Sequence, residues 1–125
     1  MVIFNREIES GIWEFTGKVT KMKYQFGIGI VDARQNLIPH PYDYENKNEN
    51  NDEVRIVVDL KSELHTLFLI INNKIQPFCV MNIPDKVKFM FFFSTKDDEW
   101  EFVSLRELDR QLDINQIDAR RRFEY

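Results

Sequence analysis

Polar and apolar residues alternate with a period of two along much of the chain. Between Gly11 and Thr20, Trp13, Phe15 and Val19 fall on one face, and Glu14, Thr16, Lys18 and Thr20 on the other. That is the pattern of a half-buried strand. Gly17 interrupts the apolar face and predicts a bulge or a close backbone approach. Lys21-Met22-Lys23 reads as a turn, and Tyr24–Val31 as the next strand. Tyr24, Phe26, Ile28 and Ile30 share one face of it, with Gly27 and Gly29 opposite.

The densest apolar stretch is Val54–Phe93. It splits into four short runs, Val54–Leu60, Leu67–Ile71, Pro77–Ile83 and Val87–Phe93. Asn72-Asn73-Lys74 and Pro84-Asp85 punctuate it. Short β-branched or aromatic runs bounded by such residues read as strands and hairpins. In these runs both faces are apolar: Leu67, Leu69 and Ile71 oppose Phe68 and Ile70, and Phe89, Phe91 and Phe93 oppose Met90 and Phe92. A second layer must cover the outward face. The candidates are the N-terminal run Val2-Ile3-Phe4, the C-terminal segment with Leu108, Leu112 and Ile117, or a partner protein.

Asp32–Glu53 is irregular and rich in Asn, Asp and Glu, which do not bury themselves cheaply. It reads as a long exposed loop with a short strand near Leu37-Ile38. Trp100–Val103 reads as a last short strand. Ser104-Leu105-Arg106-Glu107 then has the capping-box pattern, and Leu105, Leu108 and Leu112 recur at helical spacing. A short C-terminal helix with a polar tail is expected over 106–125.

At 125 residues this is one domain by length. Its 43% apolar content and eleven Phe require a core. Seventeen basic against 21 acidic residues give a net charge of −4, which disfavours a general nucleic-acid binder. The one cysteine, Cys79, excludes an internal disulfide and fits a reducing, intracellular and cytoplasmic setting. The charged start MVIFNREIES lacks the apolar region of a signal peptide. No apolar run approaches the ~20 residues of a membrane span.

Candidate chemistry is thin. His40 and His65 have no Ser or Cys in a nucleophile motif beside them, and the chain has no HExxH and no serine elbow. Asp43, Glu45, Glu49, Asp52 and Glu53 supply oxygen atoms that calcium would accept, but the EF-hand spacing fails and a solvated acidic loop is the plainer reading. Arg120–Arg122 is diluted by Asp118 and Glu124. The sequence therefore predicts no enzyme, no cofactor and no metal. Tyr42 and Tyr44 stand out as aromatics in the long loop, the kind of residue that anchors protein interfaces.

A series of short motifs occurs in an order that resembles a SPRY (B30.2-like) domain. Gly11-Ile12-Trp13-Glu14-Phe15 and Phe26-Gly27-Ile28-Gly29-Ile30-Val31 resemble two of its strands. Asp59, Thr66-Leu67-Phe68, Ile71-Asn72-Asn73-Lys74, Gln76-Pro77, Asn82-Ile83-Pro84 and Val87–Phe93 resemble its C-terminal half. The chain departs from the family in having Asp52-Glu53 where a glycine often precedes the strand, and in leaving little room for further N-terminal strands. The resemblance, to a trimmed or divergent member, implies an all-β antiparallel β-sandwich (SPRY/concanavalin-like) over 1–105, with the C-terminal helix outside it at 106–125. It also implies a non-catalytic module that recognises a protein or peptide through loops, placing Tyr42, Asp43 and Tyr44 at the binding surface. Two other classes stay open: a structural subunit of a larger assembly and, by architecture alone, a carbohydrate-binding module.

Overall fold

The apolar runs form strands, and the strands form two sheets that close on one another. The computed structural model describes residues 2–21, 25–33, 40–45, 52–93 and 99–125. Within them lie β1 (Val2–Ile3), β2 (Ile12–Lys21), β3 (Gln25–Asp32), β4 (His40–Glu45) and β5 (Asp52–Asp59). They continue as β6 (Thr66–Ile71), β7 (Lys74–Met81), β8 (Val87–Phe93), β9 (Glu99–Leu108) and β10 (Arg122–Glu124). One sheet has the order β1-β8-β3-β4 and the other β10-β7-β6-β5-β2-β9. Every pairing is antiparallel except β10 beside β7. The all-β sandwich expected from the sequence is the observed fold. No helix among the described residues is long and apolar enough to cross a membrane.

The core lies between the sheets and takes the faces that the alternation assigns to it. Phe15 and Val19 of β2, Ile56 and Val58 of β5, and Leu67 and Leu69 of β6 meet Ile28 and Ile30 of β3 and Phe89 and Phe91 of β8. Aromatic rings fill its β1–β9 side. Phe15 stacks on Phe89 at 4.8 Å between centroids, Trp100 on Phe91 at 4.3 Å, and Phe4 meets Phe15 edge-on at 4.8 Å. Offset and edge-on contacts of this kind add to the stabilisation from burial alone. The N-terminal segment is strapped to β8. Phe4 N–H donates to the Phe89 carbonyl at 2.9 Å, and Ile8 and Val87 exchange two backbone bonds. Lys86 lies 3.5 Å from Glu7 and 3.4 Å from Glu9. Its hydrogen bond with Glu9 and the two carboxylate charges hold its ammonium above the usual lysine range.

The β6–β7 hairpin is closed by Asn72 and Asn73 alone, with φ of 50° and 65°. Two successive residues in the left-handed region make the two-residue turn that matches strand twist, and asparagine tolerates it. The Asn72 side chain accepts from Glu53 N–H at 2.8 Å and donates to Asp52 at 2.9 Å, which ties the turn to the start of β5.

Two expectations are corrected. The C-terminal helix does not form. β9 runs unbroken through Ser104, Leu105, Arg106 and Glu107 to Leu108, and the rest holds two 3-10 turns, Ile114–Gln116 and Ala119–Arg121. Ser104 stands opposite Thr16 on β2 instead of capping a helix. Leu105 and Leu108, three apart in a strand, point to opposite faces, and a bulge upstream sets which face each takes. Gly17 pairs with Phe102 and Thr16 with Ser104, so Val103 is an extra residue. It resets the alternation, returning Leu105 to the core while Leu108 joins the outward face. An open edge of β2 outweighed a short helical pattern. The second correction concerns the long loop: its 40–45 portion is strand, paired with β3 from Gln25↔Glu45 to Ile30↔His40. The short strand expected near Leu37-Ile38 lies outside the described residues.

The outward face of the six-stranded sheet is covered from within the chain. Ile12, Val57, Phe68, Cys79 and Ile117 form a second buried cluster, with Leu108, Leu112 and Ile114 packed on it. The expected residues do the covering, carried by extended chain and a 3-10 turn. Asp113 caps that turn by accepting from Asn115 N–H at 2.8 Å, and Asp118 caps the next by accepting from Arg120 N–H at 2.9 Å.

Candidate functional site

With the apolar residues of both faces of the larger sheet largely buried, its β9 edge stands out for the apolar side chains it leaves exposed. β9 is the terminal strand of that sheet and pairs with β2 alone among the described residues. Ten residues is long for an edge, and an unpaired edge is a template for another strand. Its apolar residues are unusually open: Phe102 is 45% and Val103 49% exposed. β1 ends the other sheet, with Val2 51% and Ile3 45% exposed. Phe4, next in the chain to Ile3, lies 5.3 Å from the Phe102 ring and 5.7 Å from Trp100. The two edges therefore border the same opening of the sandwich. Together they line it with exposed apolar side chains over a floor of packed aromatics.

Charges on this edge are uneven. Glu99, Glu101 and Glu107 are exposed. Lys21 and Lys18 stand opposite Glu99 and Glu101 on β2. Arg106, the only basic residue of β9, is drawn to Glu14, whose carboxylate accepts from its Nε at 2.9 Å. Glu14 is only 5% exposed although it belongs to the face predicted as polar. Arg55 approaches it at 3.6 Å from the other side and pairs with Glu53 at 2.6 Å. Two guanidinium groups compensate the desolvation of that carboxylate. Arg55 also donates to the Asn73 side chain, so the charged lattice continues to the β6–β7 turn.

A second concavity, of about 670 Å³, opens between the 59–66 loop and the segment Gln111–Ile114. Asp59 is buried at its rim and braces the loop by accepting from Lys61 N–H at 2.8 Å and Ser62 N–H at 2.9 Å. The Ser62 hydroxyl is buried with no hydrogen-bond partner among the described residues. The lining sets Asp59, Glu63 and Asp113 against Lys61, and the Asp59 carboxylate is turned to the backbone of its own loop. His65 precedes β6 in a left-handed conformation (φ 45°), and its backbone bonds to Ser62 and Ile83. Cys79 is fully buried, and burial pushes its thiol up from the ordinary value of 9.0.

The residues singled out in the sequence fare differently. Tyr42, Asp43 and Tyr44 lie on β4, opposite Ile28, Gly27 and Phe26. They are on a terminal strand of the smaller sheet, and their side chains lie outside the described residues. Of the carboxylates considered for calcium, Asp52 and Glu53 are engaged with Asn72 and Arg55. The side chains of Asp43, Glu45 and Glu49 lie outside the described residues. Among the described residues no group of three or more His, Cys, Asp and Glu is placed to hold a metal. Trp100 packs against the core, with its indole over Gly17. The β9 edge escaped the sequence reading. Its signal is the consecutive pair Phe102-Val103, which breaks the alternation and marks the bulge. No family model, curated protein or solved structure matches the chain.

Proposed function

We propose that this chain is a non-catalytic protein-interaction module of SPRY-like type that works inside the cell. It recognises a protein or an extended peptide. The observation that carries this reading is the exposed apolar rim of Val2, Ile3, Phe102 and Val103 around one opening of a sandwich whose other apolar faces are largely filled. Exposed apolar residues clustered on one side mark interaction surfaces. The single free cysteine fits a reducing, cytoplasmic setting. The alternative, a structural subunit, drew on the doubly apolar strands. The chain's own tail covers that face of the larger sheet, so the exposed rim is now its main support.

Affinity capture from an extract of the source cell, read by mass spectrometry, tests the reading. Wild type is compared with Ile3→Lys/Val103→Lys and with Tyr42→Ala/Tyr44→Ala. A partner lost by the first variant and kept by the second places binding at the β1–β9 opening. A partner lost only by the tyrosine variant places it on β4. The absence of any retained partner overturns the reading, and hits on a glycan array would replace it with a carbohydrate-binding module.

A further inference from the structure

We propose that the β9 edge accepts an extended peptide of alternating basic and apolar residues, added to the six-stranded sheet as a seventh strand. This rests on the interaction reading above and names the chemistry of the partner. An added strand gains main-chain hydrogen bonds from the free side of β9, and its side chains then lie beside those of β9 on each face.

The two faces ask for different residues. On the core side, before the bulge, the neighbours are Trp100 and Phe102. Phe102 sits beside Phe4 and is only half-covered. A residue placed next to it is adjacent to an aromatic surface, and an apolar side chain fits. On the outward side the neighbours are Glu99 and Glu101. Across the sheet at that level, Lys18 of β2 stands beside Glu101 of β9, so the ladder runs basic, then acidic. Like charges directly opposite destabilise a sheet and unlike charges stabilise it. The next strand outward is therefore basic.

A second copy fits less well. It would bring its own Glu99, Glu101 and Glu107 to the edge. Its one basic residue there, Arg106, is already held by the buried carboxylate of Glu14. The bulge at Val103 and the acidic side chains are the devices that keep an edge from pairing with itself, and they leave it open to a partner of opposite charge.

The probe is a ten-residue peptide of alternating Lys and Val, with an alternating Glu and Val peptide as its counterpart. Binding is followed by fluorescence anisotropy, and its position by amide hydrogen exchange. The Lys/Val peptide is expected to bind and to protect amides of β9, while the Glu/Val peptide does not bind. Glu99→Lys/Glu101→Lys, with an unchanged far-UV spectrum, is expected to weaken Lys/Val binding by at least about tenfold. Equal binding of both peptides, or protection elsewhere than β9, overturns the proposal. So does concentration-dependent protection of β9 without peptide, which would make a second copy the occupant. If neither peptide binds but the cellular partner is still captured by Glu99→Lys/Glu101→Lys, the edge proposal fails and the interaction reading stands. If no partner is captured at all, both fail.

Discussion

At the scale of single residues, three positions carry stresses that measurement can expose. Asn72 combines a left-handed backbone with two side-chain hydrogen bonds. Asn72→Ala removes both bonds and strains the turn, and should cost about 1–3 kcal/mol in urea denaturation. Gly17 lies under the Trp100 indole, where an added Cβ would run into the ring. Gly17→Ala should therefore destabilise by roughly 1–3 kcal/mol through overpacking, and should change the Trp100 fluorescence. Cys79 supplies the pH dependence. Its folded thiol ionises above the ordinary value of 9.0, so the unfolded state releases its proton first as pH rises. The stability it contributes is complete below that value and is lost as pH climbs toward the folded thiol's own pKa. The slope is at most about 1.4 kcal/mol per pH unit. Denaturation midpoints measured from neutral to alkaline pH should show this loss, and Cys79→Ala should remove its part of it.

At the scale of elements, legibility followed the alternation. β2, β3, β5, β6, β7 and β8 were readable because each is an apolar-polar or doubly apolar run between clear turn residues. The turn at Asn72-Asn73 was readable from its own chemistry. β9 was only half readable. Leu105 and Leu108 are three apart because each packs on a different face of the sheet, and in the sequence that spacing matches the first turn of a helix. β4 was hidden because His40–Glu45 holds a proline and charged residues. What makes it a strand is β3, whose free side it fills. The candidate edge was illegible for the same reason: being last in a sheet is a property of the other strands. At this scale the tail offers a test. Removing 111–125 deletes Leu112, Ile114 and Ile117 from the outward cluster. The shortened chain should bind a hydrophobic dye and unfold several degrees lower, whereas Arg120→Ala, on an exposed 3-10 turn, should leave both unchanged.

At the scale of the whole molecule, the strand order is strongly non-local. β2 lies between β5 and β9, and β1 pairs with β8. Loop closure must precede these pairings, so folding should be slow for the size, on the order of milliseconds to seconds. Stopped-flow refolding followed through Trp13 and Trp100 would measure it. A microsecond phase carrying the full amplitude would contradict the topology.

The segment that seals Phe68, Val57 and Cys79 follows every strand it covers in the chain. During synthesis, which adds residues at about 5–20 per second, the sheet must wait for its cover while its greasy back is bare. A ribosome that stalls before residue 111, or a protease that cuts there, would release a chain with β1 to β9 and without this seal. Such a product is a substrate for quality control, not a weaker version of the protein.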